Sequence, residues 1–160
     1  MQISHLQQLT SVPIDQGLLN QAVGFFNAAS RCFADVQISP LIKNAPMTPG
    51  VVCIAFSIEL YLKLMLLLSN VGPKRLHKID ELYAELPDSF KQRLAAQYGK
   101  PDLVAQLSAM SSAFVDWRYA HEHVSLVANP MALMEIARAC HLVVRESKPA
   151  PIVFGENSVA

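Results

Sequence analysis

The stretch 51–71, VVCIAFSIELYLKLMLLLSNV, decides how the rest of the chain is read. It holds a single acid, Glu59, and a single base, Lys63, among apolar residues on nearly every side. Its length and apolarity raise the question of a membrane span. Two charges at the centre of such a span would be costly in lipid, whereas the i,i+4 spacing lets Glu59 and Lys63 pair on one helix face. The better reading is a helix of a folded domain. Being apolar all round, it belongs at the centre of a bundle or in a subunit interface.

The punctuation on either side supports that reading. Thr48-Pro49 supplies a capping residue followed by proline at the first helical position, and Gly72-Pro73 is a stop signal. Upstream, Leu19, Val23, Phe26, Ala29, Phe33 and Val36 recur at steps of three or four, which predicts a helix over 15–38. Residues 39–48 contain Pro40 and Pro46 and read as an extended connection. Downstream, a short helix is expected over 78–86 and an extension over 87–98 that ends at Gly99. Pro101-Asp102 then opens a helix whose stripe runs Leu103, Leu107, Met110, Phe114, Trp117, His121 and which ends near His123. Asn129-Pro130 starts a last helix, to about residue 147, burying Leu133, Ile136, Ala137, Cys140 and Val144. The expectation is an all-α chain: an antiparallel four- to five-helix bundle forming a single domain over 14–147. Residues 148–160, KPAPIVFGENSVA, are aperiodic and read as a C-terminal tail.

Composition narrows the function classes. The chain has 160 residues, 52% apolar and 16% charged, with 13 basic and 13 acidic side chains. A zero net charge excludes a strongly basic nucleic-acid glove, though not a local phosphate site. Residues 1–70 carry three bases (Arg31, Lys43, Lys63) and three acids (Asp15, Asp35, Glu59), so the first half supplies core or interface. A surface this poor in charge predicts a partner chain, and a homodimer is expected. Cys32, Cys53 and Cys140 have no CxxC spacing and are expected to be reduced thiols, which fits a cytoplasmic protein. The N-terminal MQISHLQQLT has neither a basic region nor an apolar run, so no signal peptide and no membrane association are expected.

The residues with chemical potential cluster in 114–123, FVDWRYAHEH. Arg118 and His123 are five apart; on an ideal helix they point about 140° apart, and they converge only where the helix ends between them. Such a pair suits RNA cleavage by the ribose 2′-hydroxyl. A histidine titrating near neutrality moves the proton, and an arginine fork matches the crowded phosphate. One histidine cannot readily serve as both acid and base, so two chains meeting at the site would complete it. The same residues have a structural reading. Arg118 and Glu122 are an i,i+4 pair, and Arg118 can form an ion pair with Glu59 or Glu122 that fixes helix register. His121 and His123 lie about 200° apart on a helix and cannot chelate one ion, so no metal and no cofactor are expected. Lys74, Arg75, His77 and Lys78 form a basic knot able to hold a phosphate, although a solvated loop is the commoner explanation.

Taken together, SIELYLKLMLLL with Glu59 and Lys63, LHKIDELYAEL with His77, and WRYAHEH resemble the HEPN superfamily of helical domains over about residues 50–145. The resemblance implies a dimerising bundle with the Arg118 and His123 of both chains facing one cleft. For active members it further implies metal-independent endoribonuclease activity in toxin–antitoxin or phage-defence systems. Other members are non-catalytic and bind RNA, nucleotides, or a partner such as an antitoxin or a nucleotidyltransferase. In this chain Tyr119 follows the arginine, where active members commonly carry a small polar residue. The interaction-module reading, with a structural Arg118–Glu122 unit, therefore stays open beside the nuclease.

Overall fold

A computed structural model describes residues 14–34, 37–39, 42–43, 47–71, 75–111, 116 and 129–147. The chain is all-α. Among the described residues there are six helices: α1 (Ile14–Phe33), α2 (Met47–Leu68), α3 (Ile79–Ala84), α4 (Asp88–Tyr98), α5 (Leu103–Ala109) and α6 (Pro130–Ser147). Two short strands, β1 (Gln37–Ser39) and β2 (Ile42–Lys43), pair antiparallel with Gln37 opposite Lys43.

The core is organised around α2. Every residue from Ser57 to Leu62 is buried, and α1, α3 and α6 all pack against this helix. By length and composition α2 is able to cross a membrane, but two-thirds of its most apolar window is covered by the chain itself. Much of its apolar circumference is covered within the chain, while Val52, Phe56, Leu67 and Leu68 are only partly buried. Contact with α1 is close. A Cβ at Gly50 would run into the Phe33 ring, Phe25 and Phe56 meet edge-to-face at 4.6 Å, and the buried Ser57 hydroxyl donates to the Ala22 carbonyl at 2.7 Å.

Helix ends follow local chemistry where the deciding residues are adjacent. Asn129 caps α6 as expected, its Oδ1 accepting from the Ala132 N–H at 3.1 Å. Gly99, at φ 70°, closes α4 with its N–H on the Ala95 carbonyl at 2.9 Å. At the far end of α6, the Arg93 guanidinium from α4 donates to the Val143 carbonyl at 3.0 Å and to Ser147 Oγ at 2.9 Å. A cation is favoured there by the helix dipole.

The six helices described exceed the four or five expected. Helix α2 begins at Met47, so that Thr48 lies inside the helix rather than capping it, and α5 begins at Leu103, after Pro101-Asp102. Three further boundaries differ by more. The first helix stops at Phe33 rather than residue 38, and the chain continues into β1. Pro40 disfavours helical backbone at Ser39, and the β-branched Val36 and Ile38 suit extended chain. The second helix ends before Gly72. Asn70 takes the left-handed conformation (φ 58°), with its N–H on the Leu67 carbonyl and the Val71 N–H on the Leu66 carbonyl, both at 3.0 Å. That is a Schellman stop made by asparagine, the side chain other than glycine that best tolerates the left-handed region. The third difference is at α5, which ends at Ala109 instead of running on through the Leu103–His121 stripe. The Ser111 carbonyl accepts from the Ile79 N–H at 3.2 Å, and its hydroxyl donates to Asp80. Ser111 lies in the turn that follows α5, where its own N–H bonds the Ser108 carbonyl at 3.2 Å.

Candidate functional site

The central charge of α2 sits in a cluster that two sequence segments build together. Glu59 is fully buried (0% exposed). Its Oε1 accepts from Lys63 Nζ at 2.6 Å, the expected i,i+4 pair, and lies 3.0 Å from His77 Nδ1. His77 stands two residues before α3, whose Ile79 and Leu82 are buried and which packs against α2. Exposure is graded across the cluster: Glu59 is sealed, Lys63 reaches solvent with 22% of its side chain, and His77 with 64%. The second carboxylate oxygen, Oε2, is buried and has no hydrogen-bond partner among the described residues. A carboxylate so enclosed depends on its two donors, because an unpaired buried charge is strongly unfavourable.

The basic knot is divided by this arrangement. His77 is committed to Glu59, while Arg75 and Lys78 are exposed at the entry to α3. Lys78 pairs with Glu81 at 3.2 Å, both side chains largely in solvent, an interaction worth about 0–1 kcal/mol. Lys74 lies outside the described residues, as do Arg118, Tyr119, His121, Glu122 and His123. Of the partners expected for Glu59, Lys63 is therefore in place, and His77 is an addition that sequence spacing did not supply. Among the described residues no three His, Cys, Asp or Glu side chains gather as a metal site would require.

A second polar constellation lies two residues along α2. Successive positions i and i+2 project about 200° apart, so Tyr61 leaves the helix on the side away from Glu59. It is buried, yet its hydroxyl meets His141 Nδ1 of α6 at 3.0 Å, with the two rings edge-to-face at 5.8 Å. Burial raises the phenol well above its ordinary value, so it keeps its proton. Burial, together with the nearby Arg145 charge, lowers the imidazole of His141 below its ordinary value, so it is neutral at pH 7. The pair opens onto a cavity of about 400 Å³ between α1, α2 and α6, walled by Val23, Phe26 and Leu142 and edged by Asn27 and Arg138. Sequence reasoning placed Val23 and Phe26 on a helix stripe but did not single out Tyr61, His141, Asn27 or Arg138. The available signal was Tyr61 itself: a phenol in the middle of a buried helix needs a partner for its hydroxyl.

The cysteines add no third site. Cys140 is buried, and its thiol is pushed up to about 12 by desolvation. The Cys53 thiol is raised by burial and by the Cys32 thiol. Compared with family models, curated protein sequences and solved structures, the chain matches none of them.

Proposed function

We propose that the chain is a cytoplasmic HEPN-like domain, an antiparallel helical bundle that dimerises and cleaves single-stranded RNA without a metal ion. Arg118 and His123 carry the chemistry. The observation that supports this reading best is the junction at Glu59, where two of the three sequence blocks behind the resemblance meet: Glu59 and Lys63 from one, His77 from the other. The two blocks are separate in sequence and meet at one carboxylate. The catalytic assignment itself rests on the third block, WRYAHEH.

In the proposed reaction a His123 imidazole takes the proton of a ribose 2′-hydroxyl. The 2′-oxygen forms a bond to the adjacent phosphorus as the bond to the 5′-oxygen breaks. The partner chain's copy of the same histidine gives a proton to the leaving oxygen, and the arginine forks neutralise the developing charge on the phosphate. In this reading Arg75 and Lys78, both exposed, contact RNA phosphates together with Lys74, which lies outside the described residues. A cognate antitoxin or a nucleotidyltransferase would be the protein partner. The test is cleavage of single-stranded RNA in EDTA, comparing the parent chain with His123→Ala. The proposal requires cleavage by the parent and its loss in the variant.

A second reading has its own observation. Glu122 stands four residues from Arg118, and Tyr119 occupies the position after the arginine. A structural Arg118–Glu122 pair in a non-catalytic module would bind RNA, a nucleotide or a protein and leave RNA intact. RNA retained but uncut by the parent chain would decide for it.

A further inference from the structure

We infer that the cavity between α1, α2 and α6 binds a small organic carboxylate with a flat apolar body, held by Arg138, Asn27 and His141. The inference does not rest on the Arg118–His123 chemistry. The cavity, about 400 Å³, is in the range that encloses small organic ligands. Its walls are of two kinds. Val23, Phe26 and Leu142 are apolar, and Leu142 keeps 42% of its surface in solvent although it borders the core. Facing them are polar groups able to donate. Arg138 is exposed and makes no ion pair among the described residues, in contrast to Arg93 and Lys100, which are tied to Glu146 at 3.1 Å and Glu135 at 2.5 Å. Asn27 contributes an amide.

The Tyr61–His141 pair sets what the imidazole offers. Tyr61 is buried and its hydroxyl has His141 Nδ1 as its partner among the described residues, so the tautomer that leaves no buried O–H unpaired accepts the phenol proton at Nδ1 and carries its own ring proton on Nε2. A guanidinium fork, an amide and an imidazole thus line the same cavity as the apolar Val23, Phe26 and Leu142. Among the residues that line the cavity Arg138 alone carries a full charge, which matches a single negative charge on the ligand, while Arg145 acts on His141 from outside that lining. A carboxylate supplies that charge in a planar form matched to the guanidinium fork.

The test uses the full, isotopically labelled chain and follows backbone amide shifts on titration with 3-phenylpropanoate. Its neutral amide and phenyl phosphate serve as comparison probes. Saturable shifts confined to residues around Asn27, Tyr61 and His141 are expected with the carboxylate. The neutral amide should bind about tenfold more weakly or not at all, and Arg138→Ala should weaken the carboxylate by a similar factor. Arg138 is exposed, so this variant should keep the parent circular dichroism. Leu142→Trp, which fills the cleft, should abolish the shifts. Four results would overturn the proposal: no saturable shift at millimolar probe, equal binding of acid and amide, equal binding by parent and Arg138→Ala, or tighter binding of phenyl phosphate.

Discussion

Glu59 and Tyr61 are two residues apart on one helix, both buried, and each carries a polar tip into an apolar interior. Their solutions differ. Glu59 is met by a lysine one helical turn away and by a histidine 18 residues on, while Tyr61 is met by a histidine 80 residues on. The first site is built by helix geometry and the segment that leads into α3. The second exists only once α6 has docked. The comparison separates a charge, which demands paired donors wherever it is buried, from a neutral hydroxyl, which needs one acceptor and can sit beside open space.

The largest effect should come from removing the cation at Glu59. Lys63→Met keeps the side-chain bulk but leaves the sealed carboxylate with His77 alone, and should cost about 3 kcal/mol in urea unfolding. Glu59→Gln should cost less, because it removes the charge along with its need for a partner. The double variant should recover much of the Lys63→Met loss. If the double variant is as unstable as Lys63→Met, packing by the lysine stem rather than charge pairing holds this side together.

On the other side, Tyr61→Phe deletes one hydrogen bond and leaves the half-buried His141 ring able to turn toward solvent. A loss of about 1 kcal/mol is expected by thermal or urea unfolding. A loss as large as that of Lys63→Met would erase the distinction between charged and neutral burial drawn above.

Smaller still, and more specific, is the pH dependence. The folded-state pKa of His141 lies below its ordinary 6.5, so the unfolded chain takes up the proton first as pH falls. Its contribution to stability is complete above 6.5, declines as pH falls below that value, and levels off once the lower folded-state pKa is passed. The difference in melting temperature between the parent and His141→Gln should therefore shrink on acidification through this window. A constant difference would mean that His141 titrates alike in the folded and unfolded chains.

The same contrast explains how much was legible beforehand. The all-α class, the Glu59–Lys63 pair, the Asn129 cap and the Gly99 stop were readable because each depends on residues within about one turn of one another. The stop at Asn70 was missed because Gly72-Pro73 two residues on carries the stronger sequence signal. The end of α5 was illegible for a different reason: Ser111, in the turn beyond it, bonds Ile79 and Asp80 of α3, and apolar periodicity carries no trace of that contact. His77 looked like part of a solvated basic loop, since nothing local tells that a fully buried carboxylate lies beside it. Tyr61 did announce an unmet need, but its partner and the cavity beside it are products of tertiary packing.

The proposed chemistry is tested most directly by the ends of the RNA it leaves. Single-stranded RNA incubated with the parent chain in EDTA should yield fragments ending in a 2′,3′-cyclic phosphate and fragments beginning with a 5′-hydroxyl, because the 2′-oxygen is the nucleophile. End-group analysis by mass spectrometry reads both. Fragments ending in a 3′-hydroxyl, or a substrate bound and recovered intact, would contradict the account.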